Sequence, residues 1–87
     1  MENVILSTGD IKKDYEIIDV IFAQAGIHNP YFAGPQYNES FDELKKILKQ
    51  KCAEIGGNAV INVRFEYQHT KNNIHELFSY GTCVKFK

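Results

Sequence analysis

Five side chains in this sequence could ligate a soft or borderline metal ion: Cys52, Cys83, His28, His69 and His75. Thiolate sulfur and imidazole nitrogen are the donors such ions select, provided that they converge. No Cys-x-x-Cys or His-x-x-x-His spacing occurs, so any site must be assembled by the fold. Cys52 sits in an apolar stripe at helical spacing and reads as a core thiol. Cys83 falls on the less apolar face of a strand, beside Gly81 and Lys85, and is the better ligand candidate. His69 and His75 flank the tip of a hairpin. A two-residue turn at Asn72-Asn73 would pair His69 with Glu76 and His75 with Thr70, on opposite faces. A register shifted by one would bring both onto one face.

Catalytic chemistry has weaker signals. Asp19 lies within an apolar strand, where a carboxylate can have a raised pKa or face solvent at an edge. Ser79, Tyr67 and Tyr80 lack an obvious base. There is no G-x-x-x-x-G-K-[ST] phosphate loop and no G-x-S-x-G elbow.

The elements that must position these groups are readable in order. Asn3 to Leu6 is a short apolar run, closed by the turn-forming Ser7-Thr8-Gly9-Asp10. Tyr15 to Gln24 reads as a strand with apolar residues on both faces: Tyr15, Ile17 and Ile21 against Ile18, Val20 and Phe22. Such a strand is buried on both sides. One helix covers one side only, so the other is expected to meet another subunit. Gly26 to Glu39 reads as a long loop, with His28, Tyr31 and Tyr37 as candidate pocket walls. The first reading of its aromatics Tyr31, Phe32 and Tyr37 is packing onto the domain itself or a neighbour.

A helix is expected from Ser40, where Ser40 and Glu43 form a capping box. Phe41, Leu44, Ile47, Leu48, Cys52 and Ile55 share its apolar stripe. Gly56-Gly57 ends it. Ala59 to Tyr67 alternates, with Ala59, Ile61, Val63, Phe65 and Tyr67 on one face and Val60 as the exception. Glu76 to Phe86 alternates too, with Phe78, Tyr80, Thr82, Val84 and Phe86 on the richer face. As a hairpin the two would pair Phe65 with Tyr80 and Ile61 with Val84, both apolar faces pointing the same way. The order strand, strand, loop, helix, strand, strand predicts a two-layer α+β domain, one main helix on an antiparallel sheet.

Composition bounds the function classes. Eighty-seven residues make a single domain, 1–87, with a core that is marginal alone. Small domains add disulfides, a metal or subunits, and two cysteines leave subunits as the expected reinforcement. A net charge of -1 lacks the basic excess that nucleic acid demands. Lys45, Lys46, Lys49 and Lys51 are interleaved with Asp42, Glu43 and Glu54, a solvated helix face. No apolar run of ~18 residues could cross a membrane, and the first ten residues lack a signal peptide's pattern. A cytoplasmic, reducing location with free thiols is the expectation.

Ile5-Leu6-Ser7-Thr8 with Tyr15-Glu16-Ile17, Ala53-Glu54-Ile55-Gly56-Gly57-Asn58-Ala59-Val60-Ile61 and Tyr80-Gly81-Thr82-Cys83-Val84 together resemble the YbjQ-type family of small proteins labelled as heavy-metal-binding. The resemblance spans most of the chain. It departs from the family pattern between Gly26 and Ser40, where a short proline- and aromatic-bearing loop replaces a longer glycine-rich insertion. The resemblance implies a helix on an antiparallel sheet, similar to YbjQ-like and dodecin-like subunits, and homopentameric rings.

The leading expectation is a non-enzymatic homo-oligomer, a pentamer by resemblance, that binds a small ligand or a soft or transition metal ion. Cys83, His69 and His75 are its candidate metal ligands. The alternatives are a scaffold subunit without a ligand and an enzyme with an intersubunit active site.

Overall fold

The computed structural model describes residues 4–27, 33–69 and 75–87, and the side chains of 4–25, 41–67 and 76–87. Four strands and one helix follow the order β1 (Ile5–Leu6), β2 (Tyr15–Ile27), α1 (Ala33–Glu54), β3 (Ala59–His69) and β4 (His75–Phe86). The sheet order is β1-β3-β4-β2, with α1 lying across one face. β2 and β3 each pair antiparallel with β4. The two-layer α+β architecture is as expected. The sheet differs from the antiparallel one expected because β1 runs parallel to β3.

That parallel contact follows from the turn after β1. Ser7 N–H donates to the Val60 carbonyl at 2.9 Å, and Val63 N–H donates to the Ser7 carbonyl at 2.9 Å. Asn62 N–H donates to the Gly9 carbonyl at 3.0 Å. The chain thus wraps around a break in β3, where Asn62 adopts φ 55° and the pairing with β4 shifts register. Asparagine tolerates this left-handed conformation better than most residues.

The bulge switches the faces of β3, contrary to the single apolar face expected for Ala59 to Tyr67. Before it, Ala59 and Ile61 join Val84 under Ile11, Tyr15 and Phe86, on the side away from the helix. After it, Val63 and Phe65 join the main core with Val60, Leu44 and Leu48. Phe65 meets Phe41 of α1 edge-on at 5.4 Å. The expected pairs fail as well: the ladder on the hairpin side is offset by one, so Phe65 faces Ser79, and the bulge adds one more, so Ile61 faces Thr82.

The helix begins at Ala33, seven residues before the expected Ser40. The Ser40–Glu43 capping box is therefore not its start, and the expected loop is shortened from both ends. Pro35 lies in the first turn, where a missing N–H breaks no intrahelical bond. Leu44, Leu48 and Cys52 are fully buried along the expected stripe. At the other end Gly56 takes φ 86°. Gly56 N–H donates to the Ala53 carbonyl at 3.0 Å and Gly57 N–H to the Cys52 carbonyl at 2.9 Å. These are the two bonds of a Schellman cap, and they confirm the Gly-Gly stop.

β4 presents Leu77, Ser79, Gly81 and Cys83 to the helix, all buried. The bulkier row expected to be the rich face points to the other side. Size decides this: a side chain added at Gly81 would stand 2.6 Å from a methyl carbon of Val60. Ser79 is fully buried, with its hydroxyl donating to the Arg64 carbonyl at 2.8 Å.

Candidate thiol pair and apolar face

The helix end and β4 bring the two cysteines together. Cys52 precedes the cap by one turn, and Cys83 lies under it on the helix-facing side of β4. Both are free and fully buried. The Cys52 thiol donates to the Ala59 carbonyl at 3.4 Å, and the Cys83 thiol to the Cys52 carbonyl at 3.8 Å. Burial first, then the adjacent Cys52 thiol, pushes the Cys83 thiol from 9.0 up to about 12. A buried thiol resists the charged form because low-dielectric surroundings solvate it poorly.

Cys83 is therefore not on an accessible, less apolar face, as the strand alternation suggested. It is a core thiol beside a second one. Nothing in the sequence spacing marks Cys52 as its neighbour or Gly57 as the residue between them. The available signal was the small row Ser79, Gly81 and Cys83, which marks a close approach by another element.

His69 and His75 occupy directly opposed register positions, the last described pair of the β3–β4 ladder. The expected pairing of His69 with Glu76 is thus displaced by one, and Glu76 pairs with Gln68 instead. Opposed positions lie on one face of a sheet. The side chains of both histidines lie outside the described residues, as do His28, Tyr31 and the side chain of Tyr37.

Asp19 is exposed, and its carboxylate accepts from the neighbouring Val20 N–H at 2.8 Å. It pairs with Cys83 across the strands at an irregularity in β2. Tyr80 donates to Glu66 at 2.9 Å, a bond that raises the tyrosine's pKa. Among the described residues, no group of three or more His, Cys, Asp or Glu converges on a metal position. A shallow depression of about 170 Å³ is bounded by Leu6, Lys45, Val63 and Phe65. Pockets for drug-sized ligands typically span about 300–1,000 Å³, so this one suits only a very small molecule.

The other feature with chemical meaning is the face of β2 turned away from α1. Ile21, Ala23 and Ala25 are buried against the helix side. Opposite them Ile17, Val20 and Phe22 are 67%, 65% and 48% exposed. Tyr80, paired with Phe22, continues the patch across β4, and Phe78 packs its ring 6.2 Å from that of Phe22. β2 is also an edge strand of thirteen residues. Lys51 Nζ bonds the Phe22 carbonyl on this edge.

Among the described residues, no helix is long and apolar enough to cross a membrane.

Comparison with known proteins agrees with this architecture. The YbjQ family, described as "Putative heavy-metal-binding", matches residues 33–87. A UPF0145 protein of Enterococcus faecalis is 32% identical over 93 residues, covering 85% of this chain and 87% of that protein. A UPF0145 protein of Lactobacillus johnsonii is 38% identical over 48 residues, covering 55% of this chain and 44% of its own. The crystal structure of a protein of unknown function from Pediococcus pentosaceus, of the DUF74 family, superimposes with a TM-score of 0.89 at 22% identity. That alignment covers 99% of this chain and 100% of the other, and it establishes the shared fold. With the family match spanning more than half of its length, the chain belongs to the YbjQ family, the group of UPF0145 proteins.

Proposed function

We propose that this protein is a non-enzymatic, self-assembling α+β module that joins copies of itself through β2 and carries a soft metal ion or small ligand. The observation behind the assembly is the row Ile17, Val20 and Phe22, exposed on a long edge strand. Monomers seldom leave a contiguous apolar patch beside an unpaired strand edge, because both invite association. The elongated shape supports the same reading. The radius of gyration is 14.2 Å, against ~12 Å for a compact chain of this length. A second copy placed on β2 would bury the patch and the edge together. Five subunits in a ring is the number that the family resemblance implies.

The metal half of the proposal draws on the family description and on the paired thiols. Free, adjacent cysteines also suit a reducing compartment such as the cytoplasm, where thiols persist. A second reading, a scaffold subunit without a ligand, draws on the same apolar face of β2, read purely as interface.

Sedimentation of the wild type against Val20→Lys and Phe22→Glu tests the assembly. The wild type should sediment as an oligomer, and either charge should dissociate it while circular dichroism stays unchanged. Oligomers that tolerate both substitutions would remove β2 as the interface.

A further inference from the structure

Cys52 and Cys83 come from different layers of the fold, yet their sulfurs converge on one backbone position. A Cβ at residue 57 would stand 2.2 Å from Cys83 Sγ and 2.5 Å from Cys52 Sγ. The two thiols occupy the space that any side chain there would need, so the pair requires Gly57. Both sulfurs are sealed from solvent within the core that includes Leu48, Val60 and Val63. Neither forms a disulfide.

We propose that Cys52 and Cys83 form an intraprotomer site for one Hg²⁺-type soft dication, bound in two-coordinate geometry between α1 and β4. The proposal rests on the metal half of the preceding reading and is independent of its assembly half. Two arguments select this ion class. The first is coordination number. Structural zinc takes four ligands, and no set of three converges among the described residues. A linear bis-thiolate ion needs only the two present. Thiolate is also the soft ligand that soft metals prefer.

The second argument is charge. Ligation releases both thiol protons to bulk water, Hg²⁺ + 2 RSH → Hg(SR)₂ + 2 H⁺. The product is neutral. A monovalent ion such as Cu⁺ would leave a net charge of −1 on the same two thiolates. Burying an unpaired charge is costly. Both sulfurs are fully buried among apolar side chains, surroundings that solvate a net charge poorly. The neutral complex is the one that the surroundings tolerate. Entry of the ion requires local opening of the helix end, so binding should be slow compared with an exposed thiol.

The test is titration of the reduced, full-length protein with HgCl₂ in the presence of excess competing monothiol, read by native mass spectrometry and free-thiol count. The competitor strips mercury held by one sulfur. The expected result is one mercury per chain, loss of both free thiols at one equivalent, and a raised Tm. Zn²⁺ should not be retained. Second-shell substitutions alone weaken metal sites by about 10–100-fold, so Cys52→Ala or Cys83→Ala should exceed about 100-fold in this competition. Both are apolar replacements that keep the core dry, and circular dichroism checks their fold. Retention unchanged in either variant, two mercury ions per chain, mercury bridging two chains, or no retention against the competitor would overturn the site. A monomer that retains one mercury leaves the dithiol standing and removes the assembly. An oligomer that retains none does the reverse.

Discussion

At the scale of single residues, Gly57 carries an unusual burden for a position with no side chain. Its neighbour Gly56 is there for conformation, at φ 86°. Gly57 is there for space, because two sulfurs fill its Cβ position. Gly57→Ala should therefore destabilise by about 1–3 kcal/mol through overpacking, measured by urea unfolding. Combining it with Cys52→Ala and Cys83→Ala should recover much of that loss, since the two sulfurs are then gone and the Val84 carbonyl oxygen, at 3.1 Å, is the milder contact that stays. A loss that persists in the triple variant would locate the cost in the backbone instead.

The Cys83 thiol gives a pH prediction with a definite sign. Its folded pKa is raised from 9.0 to about 12, so the folded state holds its proton where the unfolded chain has released it. Stability falls with rising pH wherever the folded state binds more protons. The contribution is complete below pH 9 and is lost between about 9 and 12. Tyr15 and Tyr80 are raised as well, so part of the alkaline slope is theirs. Cys83→Ala should flatten the decline of Tm above pH 9. An identical slope in wild type and variant would contradict the account.

At the scale of elements, the bulge at Asn62 organises the sheet. It turns Val63 and Phe65 toward the helix, leaves Ala59 and Ile61 on the opposite face, and shifts the register with β4. Asn62→Gly should be nearly neutral. Asn62→Val should cost about 1–3 kcal/mol, because a β-branched residue resists positive φ. Similar midpoints for the two variants in thermal unfolding would mean that the left-handed conformation is not required.

The same bulge explains what was legible in the sequence. The helix stripe and the Gly-Gly stop follow from local rules of spacing and glycine conformation, and they were readable. A bulge depends on which chain passes alongside, here the turn after Leu6, and no periodicity reveals it. A turn centred on Asn72-Asn73 matches His69 with Glu76, whereas the ladder pairs it with His75, and the bulge adds a second slip of one residue at Ile61. Cys83 was misplaced for a different reason. The row Phe78 to Phe86 is more hydrophobic than the row Leu77 to Cys83, but the helix packs on the smaller row because it must come close. The early helix start was hidden by Gly34 and Pro35, which signal a loop unless they fall in a first turn.

At the scale of the whole molecule, among the described residues one helix on a four-stranded sheet leaves the opposite face without a second layer. Ile11, Tyr15 and Phe86 cover one end of that face, over Ala59, Ile61 and Val84. Ile17, Val20 and Phe22 remain bare. A strand apolar on both sides was legible, but its faces were not: the irregularity between Ile17 and Asp19 puts Ile17 with Val20 and Phe22 rather than with Ile21. The proposed association on this face should hold in high salt, since burial of apolar area rather than ion pairing would drive it. Raising ionic strength should leave the oligomer intact by light scattering. Dissociation in salt would point to a charged interface elsewhere on the surface.

The most direct measurement is native mass spectrometry of the gently purified wild-type protein. The account predicts a discrete multiple of the 10.0 kDa chain mass, five copies if the ring implied by the family resemblance is formed. A clean monomer at micromolar concentration would contradict it, because the exposed face of β2 would then have no second copy to cover it.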